Sequence, residues 1–254
     1  MTQASAPLPG RRDRIRAATM EEITSTARRL LVEHGPEAMT LRAIAREIGM
    51  TAPGLYRYYS SREELWRHVV AEMFRELAVD IRRAIDGAVP LAARGQPTAK
   101  RAHVALKMVA ACRAFRNWAL GHKEEFALLF GVPVPGLDDG RFDVVEQCAL
   151  EFAGTFYTLF LELWNVIRFP VPAESEIDPV LLPQLRRFRG ALRTEAPEGA
   201  ILVFLRCWVL LYGAVSMEVF GHLGFALDDP EPMFELTLAD LARLVGLEYP
   251  LPRD

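Results

Sequence analysis

The sequence predicts an all-α protein, with a small three-helix N-terminal domain followed by a larger helical domain. Three observations predict it. Apolar residues recur at the 3.6-residue spacing of helices along most of the 254 residues. Strand signals are nearly absent: no Asn-Gly or Asp-Gly pair joins two alternating runs, and Asp139-Gly140 is flanked by helical patterns. Glycine and proline cut the chain at intervals that suit helices, and 51% hydrophobic residues suffice for a substantial core.

The elements follow in order. A first helix begins near Arg11 and ends at Gly35-Pro36. Thr40 caps a short second helix through Ile48, which Gly49 stops. A third runs from about Ala52 to Tyr58. Ser61 precedes a longer fourth, Arg62 to Asp86, whose first turn carries Glu63 and Glu64 in favourable alignment with the helix dipole. Residues 87–97 are rich in Ala, Gly and Pro and read as a linker. Further helices are expected from Thr98 to Leu120, Lys123 to Phe130, Arg141 to Phe169, Pro179 to Arg193, Pro197 to Leu223 and Glu231 to Val245, with loops at 131–140 and 170–178. The expected domains are 11–61 and 62–250.

The net charge of −3 argues against a generally basic nucleic-acid coat protein, but the charge is unevenly placed. Between Arg11 and Arg67 stand 11 arginines and 8 acidic residues, leaving 19 basic and 25 acidic residues elsewhere. A positive head on a negative body fits a chain that offers only its head to a polyanion. The three cysteines, Cys112, Cys148 and Cys207, form no CxxC pair and read as small buried apolar residues in a reducing compartment. Residues 1–10 lack the charge-then-apolar order of an export signal. The most membrane-like run, Ala200 to Met217, has Arg206 near its centre and Glu218 at its end. It reads as a helix buried on most faces inside protein, so no membrane partner and a cytoplasmic location are expected.

The informative segment is Thr40 to Leu65, TLRAIAREIGMTAPGLYRYYSSREEL. Leu41, Ile44, Ala45 and Ile48 make one apolar stripe, Gly49 permits a sharp turn, and Thr51 caps the next helix. Leu55 and Tyr59, four apart, face inward. Two short helices joined by a glycine-containing turn form a helix-turn-helix. Its second helix shows Ala52, Pro53 and Gly54, small residues that let backbone approach base edges, then Tyr56, Arg57 and Tyr58, which offer hydroxyls and a guanidinium fork. Arg57 and Thr51 are the candidates for base edges. Thr40, Tyr56, Tyr58 and Arg62 are the candidates for phosphates, and Arg11 and Arg12 for a flexible arm in the minor groove.

This segment resembles the DNA-binding domain of the TetR family of bacterial repressors. The matching residues are Thr40, Ile44-Ala45, Gly49, Met50-Thr51, Leu55-Tyr56, Tyr58-Tyr59 and Ser61-Arg62-Glu63-Glu64-Leu65. Ala52-Pro53-Gly54 stand where the family often has Lys-Gly-Thr, a departure that touches base reading. Trp118 to Gly136, with Trp208 and Gly213, is similar to the TetR subfamily whose C-terminal domain is called WHG, although Tyr212 stands where its His is expected.

The body holds aromatic residues at helical spacing with few charges between them. Phe115, Trp118, Phe126, Phe130, Phe156, Tyr157, Phe160, Trp164, Trp208 and Tyr212 are the candidates to line an apolar ligand cavity, each of them also a natural core residue. Ala200 to Leu223 is apolar on nearly every face, so one face is expected to meet a second copy, with Val215 or Val219 on the partner side. The resemblance implies the same dimer. The expected function is a ligand-responsive, DNA-binding transcriptional regulator, a repressor released from double-stranded operator DNA by a small apolar or amphipathic effector. It needs no cofactor and has no catalytic or metal residues. Two rival readings find less support in the residues. A bundle enzyme lacks support, since Glu64/His68 and Glu218/His222 are spaced four apart rather than as Glu-x-x-His and read as surface pairs, and GAVSME is no nucleophile turn. A module that kept the fold but lost DNA binding is opposed by the intact basic and hydroxylated positions from Thr51 to Arg62, and a gel-shift discriminates.

Overall fold

The computed structural model describes residues 10–88, 97–131, 144–247 and 249. The expected linker at 87–97 and loop at 131–140 therefore lie largely outside the described residues, as does the expected helix start at Arg141. Among the described residues there are ten α-helices and no strand. They are α1 (Arg11–His34), α2 (Leu41–Glu47), α3 (Ala52–Leu55), α4 (Arg62–Gly87), α5 (Pro97–Gly121), α6 (Lys123–Phe126), α7 (Val144–Ile167), α8 (Leu182–Leu192), α9 (Glu198–Val219) and α10 (Glu231–Leu244). The chain divides into two compact units, Met1–Phe74 with Pro133–Ala149, and Arg75–Val132 with Leu150–Asp254.

In the first unit, α1 starts where the Gly10 N–H donates to the Asp13 carboxylate at 3.1 Å. Arg11 and Arg12 are thus the first two helical residues and not an extended arm. Thr40 and Thr51 cap α2 and α3, accepting from the N–H groups of Ala43 (3.1 Å) and Gly54 (3.3 Å). Gly49, at φ +68°, makes the turn between them in the left-handed region that glycine occupies without strain. Helix α3 is shorter than its expected span. The Tyr58 N–H bonds the Leu55 carbonyl (2.8 Å), so the chain tightens after Leu55 and passes Tyr56–Tyr58 as a turn. Ile23, Ile44, Leu55, Tyr59 and Leu65 are buried together as the core of this head.

The second unit is an aromatic core. Phe115 of α5 lies 5.7–6.1 Å, centroid to centroid, from Phe126, Phe130, Phe152, Phe156 and Trp208, within the range in which ring pairs attract. The expected helix over 123–130 changes character: α6 gives way to a π-helical turn over Ala127–Gly131. Two arginines one turn apart on α5 tie down α9 and α10. Arg116 makes a bidentate pair with Glu218 (2.6 and 2.7 Å), both side chains being almost wholly buried, and sits over the Phe234 ring at 5.0 Å. Arg113 pairs bidentately with Glu235 (2.9 and 2.8 Å) and donates to the Tyr249 hydroxyl. Burial pushes the Glu235 carboxyl up, but Arg113 and Tyr249 outweigh it and hold the group below its ordinary range. Glu218 is therefore a buried ion-pair partner, not the surface partner of His222.

Helix α9 is apolar and long enough to cross a membrane by length and composition alone, yet only 28% of its most apolar stretch is buried. That corrects the expectation of a helix buried on most faces. Val215 and Val219, expected on the partner side, point into the chain's own core, at 0% and 7% exposure. The open side carries Val209 (66% exposed), Leu210 and Met217, continued on α10 by Met233.

Candidate nucleic-acid interface and apolar cavity

The helix-turn-helix positions its side chains by burying the opposite ones. Leu55 and Tyr59 are sealed in the core, which turns Tyr56 (52% exposed) and Arg57 out to solvent. Pro53 is exposed in the first turn of α3, where no intrahelical N–H is lost, and Ala52 and Gly54 are half-buried. A Cβ on Gly54 would lie 3.1 Å from the Thr51 hydroxyl oxygen, so glycine leaves the cap undisturbed. Thr40 and Thr51 are exposed; each hydroxyl oxygen accepts a backbone N–H and keeps its own proton for an outside acceptor. Tyr58 is half-buried beneath Arg16, whose guanidinium lies 5.2 Å from the ring centroid. Arg62 is half-buried in the first turn of α4, and Arg11 and Arg12 are exposed at the start of α1. Glu64 accepts from the N–H and hydroxyl of Ser60 (2.7 and 2.6 Å), and these bonds hold its carboxyl below the usual range. His68 meets Glu72 at 3.2 Å instead of Glu64.

Sequence reasoning missed Arg16. It reaches Tyr58 across 42 positions, and no spacing rule signals a contact between a helix and a turn so far apart in the chain. Arg42, exposed on α2 two residues after the Thr40 cap, is a further cation on the head that was not singled out.

The second unit holds a partly open apolar cavity of about 60 Å³ between α5, α7, α9 and α10. Of the ten aromatic residues named for a ligand site, Phe156, Phe160 and Trp208 line it. The others sit elsewhere in the aromatic core. Trp118 stacks on His122 at 4.8 Å, Tyr157 meets Phe204 edge-on at 5.1 Å, and Trp164 packs on Phe169 at 4.9 Å. Phe115, Phe126 and Phe130 pack on one another. The Tyr212 hydroxyl donates to the Phe130 carbonyl at 2.6 Å and so pins the π-helical turn to α9. Counting aromatics missed the aliphatic wall supplied by α10 through Leu238, Leu241, Ala242 and Val245. It also missed that Cys112 of α5 and Cys207 of α9 face one cavity. Burial pushes both thiols up to about 12, which suits packing groups more than nucleophiles.

Residues 16–69 match the family described as "Bacterial regulatory proteins, tetR family", and residues 108–241 match "Tetracyclin repressor-like, C-terminal domain". The chain is similar to the HTH-type transcriptional regulators Rv1816 of Mycobacterium tuberculosis and Mb1846 of Mycobacterium bovis, each 30% identical over 230 residues, 89% of this chain and 92% of the relative. Among solved structures it is similar to the regulatory protein SCO4313, with TM-score 0.68 and 26% identity over 92% of this chain and 98% of that one. A TetR-family regulator from Streptomyces coelicolor shares the fold at TM-score 0.54 and 15% identity, over 90% of this chain and 80% of that one. A helix-turn-helix with capped helices, the matches over both halves of the chain and relatives aligned along nearly their whole length lead to one conclusion: the chain belongs to the TetR family of transcriptional regulators.

Proposed function

We propose that this regulator is a cytoplasmic homodimer that represses by binding a near-palindromic operator and is released by an apolar or amphipathic effector. The observation that carries the reading is the helix-turn-helix: Leu55 and Tyr59 are buried while Tyr56 and Arg57, just after the helix that Thr51 caps, are turned out to solvent. In this reading, residues 11–61 read DNA and 62–250 sense and dimerise. Arg57 and Thr51 read base edges, and Gly54, with Ala52 and Pro53, allows close approach. Thr40, Tyr56 and Arg62 hold phosphates, joined by Arg16 and Tyr58 as a stacked pair, and Arg11 and Arg12 contact the duplex from the start of α1. The open apolar side of α9 and α10 meets the same side of a second copy, and protein two-fold symmetry then asks for two half-sites. The effector must favour the free form over the DNA-bound form, or nothing shifts. Helix α4, which runs from one unit into the other, is the natural carrier of that change. No catalysis is part of the reading.

Selection of binding sites from random duplexes tests it. The expected result is a two-fold symmetric motif. Arg57→Ala should relax sequence preference at a cost of about 1–3 kcal/mol, while Arg62→Ala should weaken all sequences alike and flatten the salt dependence. Selected sites without two-fold symmetry, or unchanged selectivity in Arg57→Ala, would sink it.

A further inference from the structure

We infer that the chain just after α10 is a latched strap over the cavity of the second unit: Leu247 supplies its wall, Arg101 and Tyr249 are its catches, and releasing it enlarges the cavity enough to admit an organic ring. That such a ligand is the effector rests on the reading of this unit as a sensor. The first ground is size. The cavity of about 60 Å³ is well below the roughly 150 Å³ that takes a benzene ring, so a wall must move before one enters. The walls supplied by α5, α7, α9 and α10 are packed helices, with Val245 as the cap of α10. Among the described residues, Leu247 is the one lining residue beyond a helix and its cap. The chain leaves α10 at Gly246, whose φ of +64° turns it back, and the Leu247 N–H donates to the Ala242 carbonyl at 2.8 Å.

The second ground is what holds the strap. Arg101 and Arg113, both on α5, bracket the stretch from Ala105 to Cys112 that faces the cavity. Arg101, exposed one turn before Ala105, donates to the Gly246 carbonyl. Arg113, next to Cys112, donates to the Tyr249 hydroxyl at 2.8 Å, and that hydroxyl donates to Glu235 of α10. Burial and the Glu235 carboxylate push the Tyr249 phenol up, so it stays a donor at neutral pH. Removing the hydroxyl leaves the bidentate Arg113–Glu235 pair in place. The strap is thus held by hydrogen bonds at partly exposed sites, the make-up of segments that open locally while the rest of a fold stays shut.

Cys112 and Cys207 line the cavity and so report its opening. The full chain without DNA is treated with methyl or benzyl methanethiosulfonate, which convert a thiol to a methyl or benzyl disulfide and release methanesulfinate, and each cysteine is followed by mass spectrometry. Burial slows both reagents alike by suppressing the thiolate, so their ratio isolates size. In the unmodified chain the benzyl reagent should react with these two cysteines far more slowly than the methyl reagent. Tyr249→Phe should speed benzyl labelling of both about tenfold, and Arg101→Ala about threefold. The rates should stay flat across low urea concentrations, since a local opening exposes little surface, whereas labelling through global unfolding climbs steeply. Unchanged benzyl rates in both variants, a gain confined to the methyl reagent, or rates that climb steeply with urea would overturn the strap. Operator binding is measured separately on the benzyl-labelled chain. Loss of operator affinity supports the sensor reading, and an operator still bound leaves the strap in place and removes that reading. Operator release by another compound, with benzyl labelling unmoved in both variants, does the reverse.

Discussion

At the second residue of α9, a Cβ on Gly199 would lie 2.2 Å from the backbone carbonyl oxygen of Pro172 and 3.2 Å from two further backbone atoms of that residue. Backbone cannot swing away as a flexible side chain can. Gly199→Ala should therefore force the loop before α8 off the start of α9, at a cost of about 1–3 kcal/mol typical of overpacking, read as a melting point lower by roughly 2–4 °C per kcal/mol. An unchanged melt would show that the loop is free to yield. Arg116 gives the opposite kind of residue, one whose removal strands a partner. In Arg116→Ala the Glu218 carboxylate stays almost wholly buried without its fork, and breaking such a pair costs about 3–5 kcal/mol. The double variant Arg116→Met, Glu218→Leu should recover most of the loss in a urea melt, since an apolar pair of similar volume is often no worse than the ion pair it replaces.

At the scale of elements, α9 presents two apolar sides with different fates. Val215 sits in the core and Met217 stands open, although nothing in the one-dimensional pattern separates two apolar residues on a helix that is apolar all round. Met217→Asp should therefore leave the monomer fold intact and shift sedimentation towards a single chain, whereas Val215→Asp should unfold it. A Met217→Asp protein that stays dimeric at micromolar concentration would place the interface elsewhere. The same contrast explains what sequence could and could not disclose. Caps, stripe and turn residues from Thr40 to Leu65 act within a few positions of one another, so the head was legible residue by residue. The links that organise the second unit join residues far apart: Arg116 to Glu218 across 102 positions and Tyr212 to Phe130 across 82. Only three of the ten aromatic candidates, Phe156, Phe160 and Trp208, line the cavity, for a related reason. Aromatic rings drew attention to the packed cluster around Phe115, while α10 contributes an aliphatic wall that no composition count singles out.

For the whole molecule, α9 is a partition between an apolar cavity and an open apolar groove. Phe204, Cys207, Trp208 and Leu211 face the cavity of the second unit, and Val209, Leu210 and Met217 line a groove of about 290 Å³ on the open side of α9. A helix one residue thick cannot adjust one surface without moving the other. If a second copy fills the groove, ligand affinity becomes a function of how much protein is present. Thermodynamic reciprocity then requires that ligand shift the monomer–dimer equilibrium by the same factor by which dimerisation shifts ligand affinity. Titrating the protein across its dimer dissociation constant, with ligand binding followed at each dilution, should give a sloping and not a flat affinity, and ultracentrifugation with saturating ligand should move the dimer midpoint by the matching factor. The cell would then read effector and regulator abundance as one variable, so that the number of regulator molecules itself tunes the effector threshold.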